Sequence, residues 1–79
     1  MTVKAYLLIE AQVGKTKEVV EAIRKVQGVA SVDAVTGPYD AIAIMEGKTL
    51  NGIGKLIVSE VHTIAGISRT VSCLVFSLA

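Results

Sequence analysis

Apolar and polar residues alternate along four segments of the chain, with the two-residue period of a β-strand. Two other segments place apolar residues three and four positions apart, the spacing of an amphipathic helix. A glycine follows each helical segment, where a residue free to take positive φ ends a helix well. The pattern predicts strands at residues 3–12, 30–36, 41–46 and 69–78, and helices at residues 16–27 and between Thr49 and Gly66.

The predicted order is βαββαβ, and the two halves resemble each other around Gly28-Val29 and Gly66-Ile67. Each strand–helix–strand half is too small to cover its own sheet face. Right-handed crossovers then predict an α+β, ferredoxin-like sandwich: a four-stranded antiparallel sheet with two helices on one face. The first and third strands are expected at its centre, and the second, the most polar, at an edge.

The predicted central strands are apolar on both faces. Tyr6 and Leu8 lie opposite the Leu7 side of the first strand, and the third strand is apolar at almost every position. Antiparallel sheets with one solvated face normally alternate apolar and polar residues. We therefore expect a second copy of the chain to cover the face that the helices leave open.

The length and composition also favour self-association. The chain has 79 residues, of which 52% are hydrophobic, so one domain spanning residues 1–79 is expected. A domain of this size buries only about 60% of its unfolded surface and needs additional stabilisation. The chain has one cysteine, Cys73, so an internal disulfide is excluded. Cys73 and the single histidine, His62, are too few ligands for a zinc site. No metal or cofactor is expected, so oligomerisation remains as the source of additional stability.

Charge and hydropathy exclude two classes of partner. The net charge is +1 with no run of Lys or Arg, which argues against direct binding of nucleic acid. No apolar run approaches the roughly 18 residues of a membrane span, and the N-terminus lacks a signal-peptide pattern. Together with the single thiol, these features indicate a cytoplasmic protein.

Several segments resemble catalytic or binding motifs and are better explained structurally. Gly-Lys-Thr occurs at residues 14–16 and 47–49, but Ile9 and Ile42 occupy the positions where a phosphate-binding loop needs glycine. Both segments are interpreted as helix entries.

Single reactive side chains are interpreted in the same way. His62 lies opposite the apolar stripe of its helix and is expected in solvent. Cys73 alternates with Val71 and Val75 and is expected to be a buried structural thiol. Glu60 falls within about 20° of the stripe's centre, so we expect it to meet Lys or Arg at the stripe's rim or a subunit contact. An effector-linked role is the alternative for Glu60.

The turn between the second and third strands is the best functional candidate. It consists of Gly37, Pro38, Tyr39 and Asp40. An Asp in a turn commonly hydrogen-bonds nearby backbone. The turn also offers a carboxylate for an ammonium group and free backbone groups for a carboxylate, and an amino acid's head group needs both.

The turn and its surroundings resemble the effector domain of Lrp/AsnC transcription regulators, known as the RAM domain (regulation of amino-acid metabolism). The resemblance rests on Ala-Tyr-Leu-Leu-Ile at residues 5–9, on Val-Thr-Gly-Pro-Tyr-Asp at residues 35–40 and on Thr-Val-Ser at residues 70–72. It covers nearly the whole chain. It implies dimers that pack sheet to sheet and assemble into rings, often octamers, with amino acids bound between dimers.

The resemblance also implies which residues bind the effector. Gly37, Pro38, Tyr39 and Asp40 would come from one subunit, and Thr70 and Ser72 from another. Ser72 stands where the family has a second Thr, which keeps the hydroxyl and loses the methyl group. The chain begins at the first strand, without the family's helix-turn-helix, so it resembles stand-alone RAM proteins and DNA binding is not implied.

The resulting hypothesis is an oligomeric amino-acid-binding protein, not an enzyme, that acts on amino-acid metabolism or transcription through protein partners. Asp40 would pair the ammonium group, while turn backbone groups and Thr70 or Ser72 hydrogen-bond the carboxylate. Asp40→Ala is expected to abolish binding and leave assembly intact.

Three alternatives remain open: a ligand-free assembly module that co-oligomerises with full-length Lrp/AsnC regulators, an ACT-like sensor, and a small oxygenase or isomerase. The Thr-Gly-Pro-Tyr-Asp segment fits the RAM domain better than the ACT domain. The enzyme is disfavoured because the central strands offer only apolar side chains.

Overall fold

The computed structural model describes residues 2–78 and has the predicted βαββαβ order. Its sheet is antiparallel throughout, in the order β2-β3-β1-β4, which confirms the ferredoxin-like sandwich with β1 and β3 at the centre and β2 at an edge. The strands are β1 (Val3–Ala11), β2 (Val29–Ala34), β3 (Ala41–Gly47) and β4 (Ile67–Leu74), and the helices are α1 (Thr16–Arg24) and α2 (Leu50–Leu56).

The core lies between the two helices and one face of the sheet. Thirteen hydrophobic residues are buried there, and no polar or charged residue is buried in the described part of the chain. Leu7 and Ile9 of β1 and Met45 of β3 are fully covered, as are Val19 and Ile23 of α1. The alternation in β1 therefore identified the face that the helices cover.

The ends of several elements differ from the sequence prediction, and strand β2 ends at Ala34 rather than residue 36. Helix α1 ends at Arg24 rather than residue 27, because the Lys25 and Val26 amides bond to carbonyls only three residues back, which tightens the last turn. Strand β4 ends at Leu74 rather than residue 78. Strand β4 pairs with β1, which begins at Val3. The hydrogen bonds between the two strands therefore end with the one from the Val75 amide to the Lys4 carbonyl.

A π turn at Ile57–Val61 follows α2 directly. Thr49 caps α2 as predicted, since its hydroxyl accepts a hydrogen bond from the Gly52 amide at 3.0 Å. The His62 amide donates to the Ile57 carbonyl, five residues earlier, at 2.9 Å. This wider turn rotates Val61 into the core and leaves Glu60 exposed. The prediction that Glu60 lies near the centre of the buried stripe is therefore wrong, because it assumed regular α-helical spacing.

The second face of the sheet carries no helix, as the βαββαβ topology predicted. We call it the open face; its centre is formed by Tyr6, Leu8, Ile42, Ile44, Val71 and Cys73, which the strand register places side by side. Cys73 is exposed on this face, so the prediction that it is buried is wrong for the single chain. The alternation placed Cys73 on the correct face of β4, but that face is the one that the helices leave uncovered.

Charged residues bracket the open face at both ends. Lys4 lies opposite Glu46 at one end, and Glu10 lies opposite Arg69 at the other. The apolar centre is therefore framed by residues of both signs. Among the described residues, no helix is long and apolar enough to cross a membrane.

A substitution at Gly66 would test how closely the segment before β4 packs against α1. Its φ is +97°, and a Cβ there would stand 3.1 Å from both the Lys15 Cβ and the Val19 Cγ2. We expect Gly66→Ala to lower the free energy of unfolding by more than the roughly 1–2 kcal/mol of a left-handed alanine alone. Gly14→Ala is the matched control, because Gly14 has a φ of +78° and nothing within 4 Å of an added Cβ.

Thermal unfolding can distinguish the two variants, because a difference of about 1 kcal/mol in the free energy of unfolding shifts the melting temperature of a domain of this size by about 4–8 °C. Equal melting temperatures for the two variants would contradict the close packing at Gly66.

Candidate functional site

Three hydrogen bonds of Asp40 tie the turn at residues 37–40 to the strands beside it. The Asp40 amide donates to the Ile9 carbonyl at 2.8 Å, and the Asp40 carbonyl accepts from the Val35 amide at 2.9 Å. The Asp40 carboxylate oxygen Oδ2 accepts from the Ala11 amide at 2.8 Å. β3 begins at Ala41, which pairs with Ile9, so the Ala11 amide lies beyond the last residue pair of β1 and β3. It therefore donates to the Asp40 side chain instead of to a backbone carbonyl of β3.

Asp40 therefore has a structural role in addition to any role in binding. The sequence indicated that an Asp in this turn commonly bonds to nearby backbone, and the bond it makes reaches 29 residues back along the chain. We therefore expect replacement by alanine to weaken the attachment of the turn to β1, because the Ala11 amide would lose its acceptor.

Tyr39 connects the same turn to β4. The Arg69 guanidinium donates to the Tyr39 hydroxyl at 3.4 Å, and its central carbon lies 6.0 Å from the centroid of the tyrosine ring. Gly37 and Pro38 are exposed at the tip of the turn. Sequence reasoning missed Arg69 because its contact with Tyr39 joins positions 30 residues apart.

Thr70 and Ser72 lie on the helix-facing side of β4, where they pair with Ile9 and Leu7 of β1. The Thr70 hydroxyl is 3.4 Å from Nε2 of His62, the residue that follows the π turn. His62 is exposed, as predicted, but its neighbour is a candidate binding residue. A helical-wheel argument could not find this contact, because it places His62 relative to its own helix and not to β4.

A concave surface lies between α2 and β4, and Ser72 forms part of its wall. We call it the α2–β4 cleft; it has a volume of about 390 Å³, and its walls include Leu50, Gly54, Ile57, Val58, Ser72 and Leu74. Ile57 is buried in its floor, whereas Leu50, Val58 and Leu74 at its rim are 54%, 64% and 47% exposed. The cleft was not predicted, because it depends on where the exposed side of α2 passes over the edge strand.

Within one chain Asp40 and Thr70 lie near the same end of the sheet, on opposite sides of β1. Asp40 bonds to Ile9 on one side of β1, and Thr70 pairs with Ile9 on the other. Two strand spacings of about 4.8 Å place their backbones about 10 Å apart. Ser72 lies two residues further along β4. In the described part of the chain, no cluster of His, Cys, Asp and Glu could hold a metal ion.

The Asp40–Ala11 hydrogen bond can be tested by its effect on stability. We expect Asp40→Ala to lower the free energy of unfolding by about 1–3 kcal/mol, because the Ala11 amide loses its acceptor. Asp40→Asn is the control, since its amide oxygen can still accept that hydrogen bond and its loss should be smaller. Equal losses in urea unfolding would show that the Asp40 side chain does not hold the turn to β1.

The chain is 32% identical over 60 residues to an uncharacterized HTH-type transcriptional regulator of Pyrococcus furiosus, a match that covers 76% of this chain and 40% of the regulator. The chain thus spans less than half the length of this curated relative. It is also similar to the crystal structure of TTHA0845 from Thermus thermophilus, with a TM-score of 0.91, 28% identity and coverage of 98% of this chain and 96% of that one.

A third similarity is to the L-Met complex of the transcriptional regulator NMB0573 from Neisseria meningitidis. Its TM-score is 0.84 over 96% of this chain and 51% of that one, and at 18% identity it shows the shared fold. The model of the Lrp/AsnC ligand binding domain matches residues 4–78. The chain therefore belongs to the Lrp/AsnC ligand-binding domain family.

Proposed function

We propose that this protein binds an amino-acid effector as an oligomer and acts on amino-acid metabolism or transcription through protein partners. The observation that carries this proposal is that Asp40 and Thr70 flank Ile9 near one end of the sheet, with Ser72 two residues further along β4. Asp40 offers a carboxylate there, and Thr70 and Ser72 offer hydroxyl groups on the helix-facing side. The zwitterionic head group of an amino acid needs partners of both kinds.

Asp40 keeps the capacity to bind an ammonium group. A carboxylate has about four acceptor positions, and the Ala11 amide uses one of them. That bond also fixes the orientation of the carboxylate before a ligand arrives. A charge-assisted bond from an α-ammonium group would be about twice as strong as a neutral one.

The spacing of these groups favours a site shared between subunits. The ammonium and carboxylate groups of an amino acid are attached to one carbon, whereas the Asp40 and Thr70 backbones of one chain are about 10 Å apart with β1 between them. A head group therefore meets both sets of partners more easily when Asp40 comes from one subunit and Thr70 and Ser72 come from another.

The open face supplies the contact for dimers. Its centre is apolar, and the pairs Lys4–Glu46 and Glu10–Arg69 frame it with both signs of charge. In a two-fold arrangement each subunit presents the same patch to its partner, so each can meet opposite charges at the rim of an apolar contact. Further contacts between dimers would close a ring.

Relatives support the regulatory part of the proposal. The curated relative is an HTH-type transcriptional regulator, and a regulator of the same fold is described in complex with L-Met. The second candidate is a ligand-free assembly module that co-oligomerises with full-length regulators. The open face favours that candidate equally, because an apolar sheet face needs a second copy and not a ligand.

The effector role of Asp40 is tested by its charge. In a thermal-shift screen of the twenty amino acids, an effector at 100 times its dissociation constant stabilises the wild type by about 2.7 kcal/mol. We expect Asp40→Asn to lose this shift, since it keeps an acceptor for the Ala11 amide but not the negative charge. Its particle mass in light scattering should equal that of the wild type.

An undiminished shift in Asp40→Asn would exclude the ammonium-binding role. A wild type that responds to none of the amino acids, in a stable oligomer, would instead support the assembly module.

The open-face dimer is tested by placing a charge at its centre. Leu8 lies between Ile42 and Val71, so Leu8→Glu would bury an unpaired carboxylate in the contact and should shift the particle mass towards the monomer. Val13→Glu is the matched control, because Val13 is fully exposed in the loop before α1.

Cys73 gives a second readout of the same contact. Its thiol lies on the open face, beside Tyr6, so we expect it to react slowly with a thiol reagent in the wild type and in Val13→Glu, and rapidly in Leu8→Glu. A fast reaction and monomeric mass in the wild type would contradict the dimer.

A further inference from the structure

We infer that His62 sets the direction of the Thr70 hydroxyl and makes effector affinity depend on the charge of the imidazole. His62 directly follows the π turn, and its Nε2 lies 3.4 Å from the Thr70 Oγ1 of β4. This inference rests on the proposed function, in which the Thr70 hydroxyl is one of the groups that bond to the effector's carboxylate. It adds a positioning residue to that site and a way in which the site is regulated.

The π turn brings His62 to β4. Each residue of a regular α-helix advances by about 100° around the axis, and that spacing predicts His62 on the side opposite the apolar stripe. One extra residue in the turn at Ile57–Val61 rotates the residues that follow by about the same angle. His62 then lies beside Thr70. Single π turns of this kind are frequent at functional sites.

Two hydrogen bonds hold the backbone on both sides of the imidazole. The His62 amide donates to the Ile57 carbonyl at 2.9 Å. The Thr63 hydroxyl donates to the Glu60 carbonyl at 3.0 Å. The His62 side chain is itself exposed, so it exchanges protons with solvent while its backbone stays fixed relative to β4.

The charge of the imidazole decides what the Thr70 hydroxyl can do. A hydroxyl has one hydrogen to donate, and a carboxylate can only accept. A charged imidazole donates its Nε2–H to the Thr70 oxygen, which leaves the hydroxyl hydrogen for the effector. In a neutral imidazole Nε2 can accept that hydrogen and so compete with the carboxylate. The positive charge also strengthens the chain of hydrogen bonds that runs through the hydroxyl, so the charged form favours binding.

The chain offers few other groups that change charge in the same pH range. His62 is its single histidine, and histidine ordinarily changes charge between about pH 5 and pH 8. The charged residues on the neighbouring elements are Glu60 of the π turn, Lys15 and Glu18, which pair at 3.7 Å, and Arg69, which points to the other face of β4. Side chains of these three kinds ordinarily keep their charge across that range.

Isothermal titration calorimetry tests the inference with each amino acid that stabilises the wild type in the thermal-shift screen. We expect affinity to fall about threefold to tenfold from about pH 5.5 to about pH 8, the difference between a hydrogen bond with a charged group and a neutral one. His62→Gln should show no such fall, because its amide keeps a hydrogen-bonding group of similar reach and cannot become charged. Thr70→Val should bind more weakly and show no fall, since it keeps the shape of threonine without the hydroxyl.

Two further readouts separate positioning from a general structural role. Because linkage is reciprocal, binding at about pH 6.5 should take up protons in the wild type and not in His62→Gln, which binding enthalpies in two buffers of different ionisation enthalpy measure. Without ligand, the nitrogen NMR shifts of the neutral imidazole should differ between the wild type and Thr70→Val, because the hydroxyl selects the tautomer. Both variants should melt at temperatures close to that of the wild type.

The other outcomes overturn the inference in distinguishable ways. Equal pH profiles in the wild type and His62→Gln would show that another group causes the dependence, or that there is none. A fall in affinity that persists in Thr70→Val would show that the imidazole acts on the ligand directly and not through the hydroxyl. Both results would leave the amino-acid sensor intact, whereas absence of binding by every amino acid at both pH values would overturn the proposed function and this inference together.

Discussion

The sheet has two apolar faces, and the two helices cover one of them. On the covered side β1, β3, α1, α2 and the π turn enclose a core in which no described polar residue is buried. On the other side Tyr6, Leu8, Ile42 and Ile44 are in contact with solvent in the single chain. Both helices among the described residues are committed to the covered side, and a domain this small is marginally stable without further burial. Burial of the open face against a second copy is therefore part of the proposed stability of the fold.

The same constraint leaves the edges of the sheet for function. With both faces committed, a ligand can approach at the end of the sheet, where the β2–β3 turn lies, or along β4, where α2 passes over an edge strand. Asp40 is the residue proposed to bind a ligand at the first position, and it also fixes the end of β1 through its hydrogen bond with Ala11. A ligand that pulls on this carboxylate would act directly on the start of β3 and the end of β1. In the proposed site, effector binding and sheet geometry would therefore be coupled through the Asp40 side chain.

Much of this could be predicted from the sequence, because local periodicity determines which face of each element is buried. The alternation in β1 identified both faces of the sheet, and Thr49 and Gly66 marked the ends of the second helical segment. The π turn at Ile57–Val61 could not be predicted, since a single extra residue per turn leaves no periodic signal, and Glu60 was misplaced for that reason. The contacts of Asp40 with Ala11, Arg69 with Tyr39 and His62 with Thr70 depend on tertiary packing. The roles of the site residues in binding remain predictions.

The central claim, that the open face is covered by a second copy, is tested most directly by sedimentation equilibrium of the unmodified chain over a wide range of concentration. The chain has a mass of 8.3 kDa. If the open face is an obligatory contact, the smallest species that remains folded will have twice this mass, and larger species will be multiples of that dimer. A folded species of 8.3 kDa that persists at high concentration, with its circular dichroism unchanged on dilution, would contradict the claim.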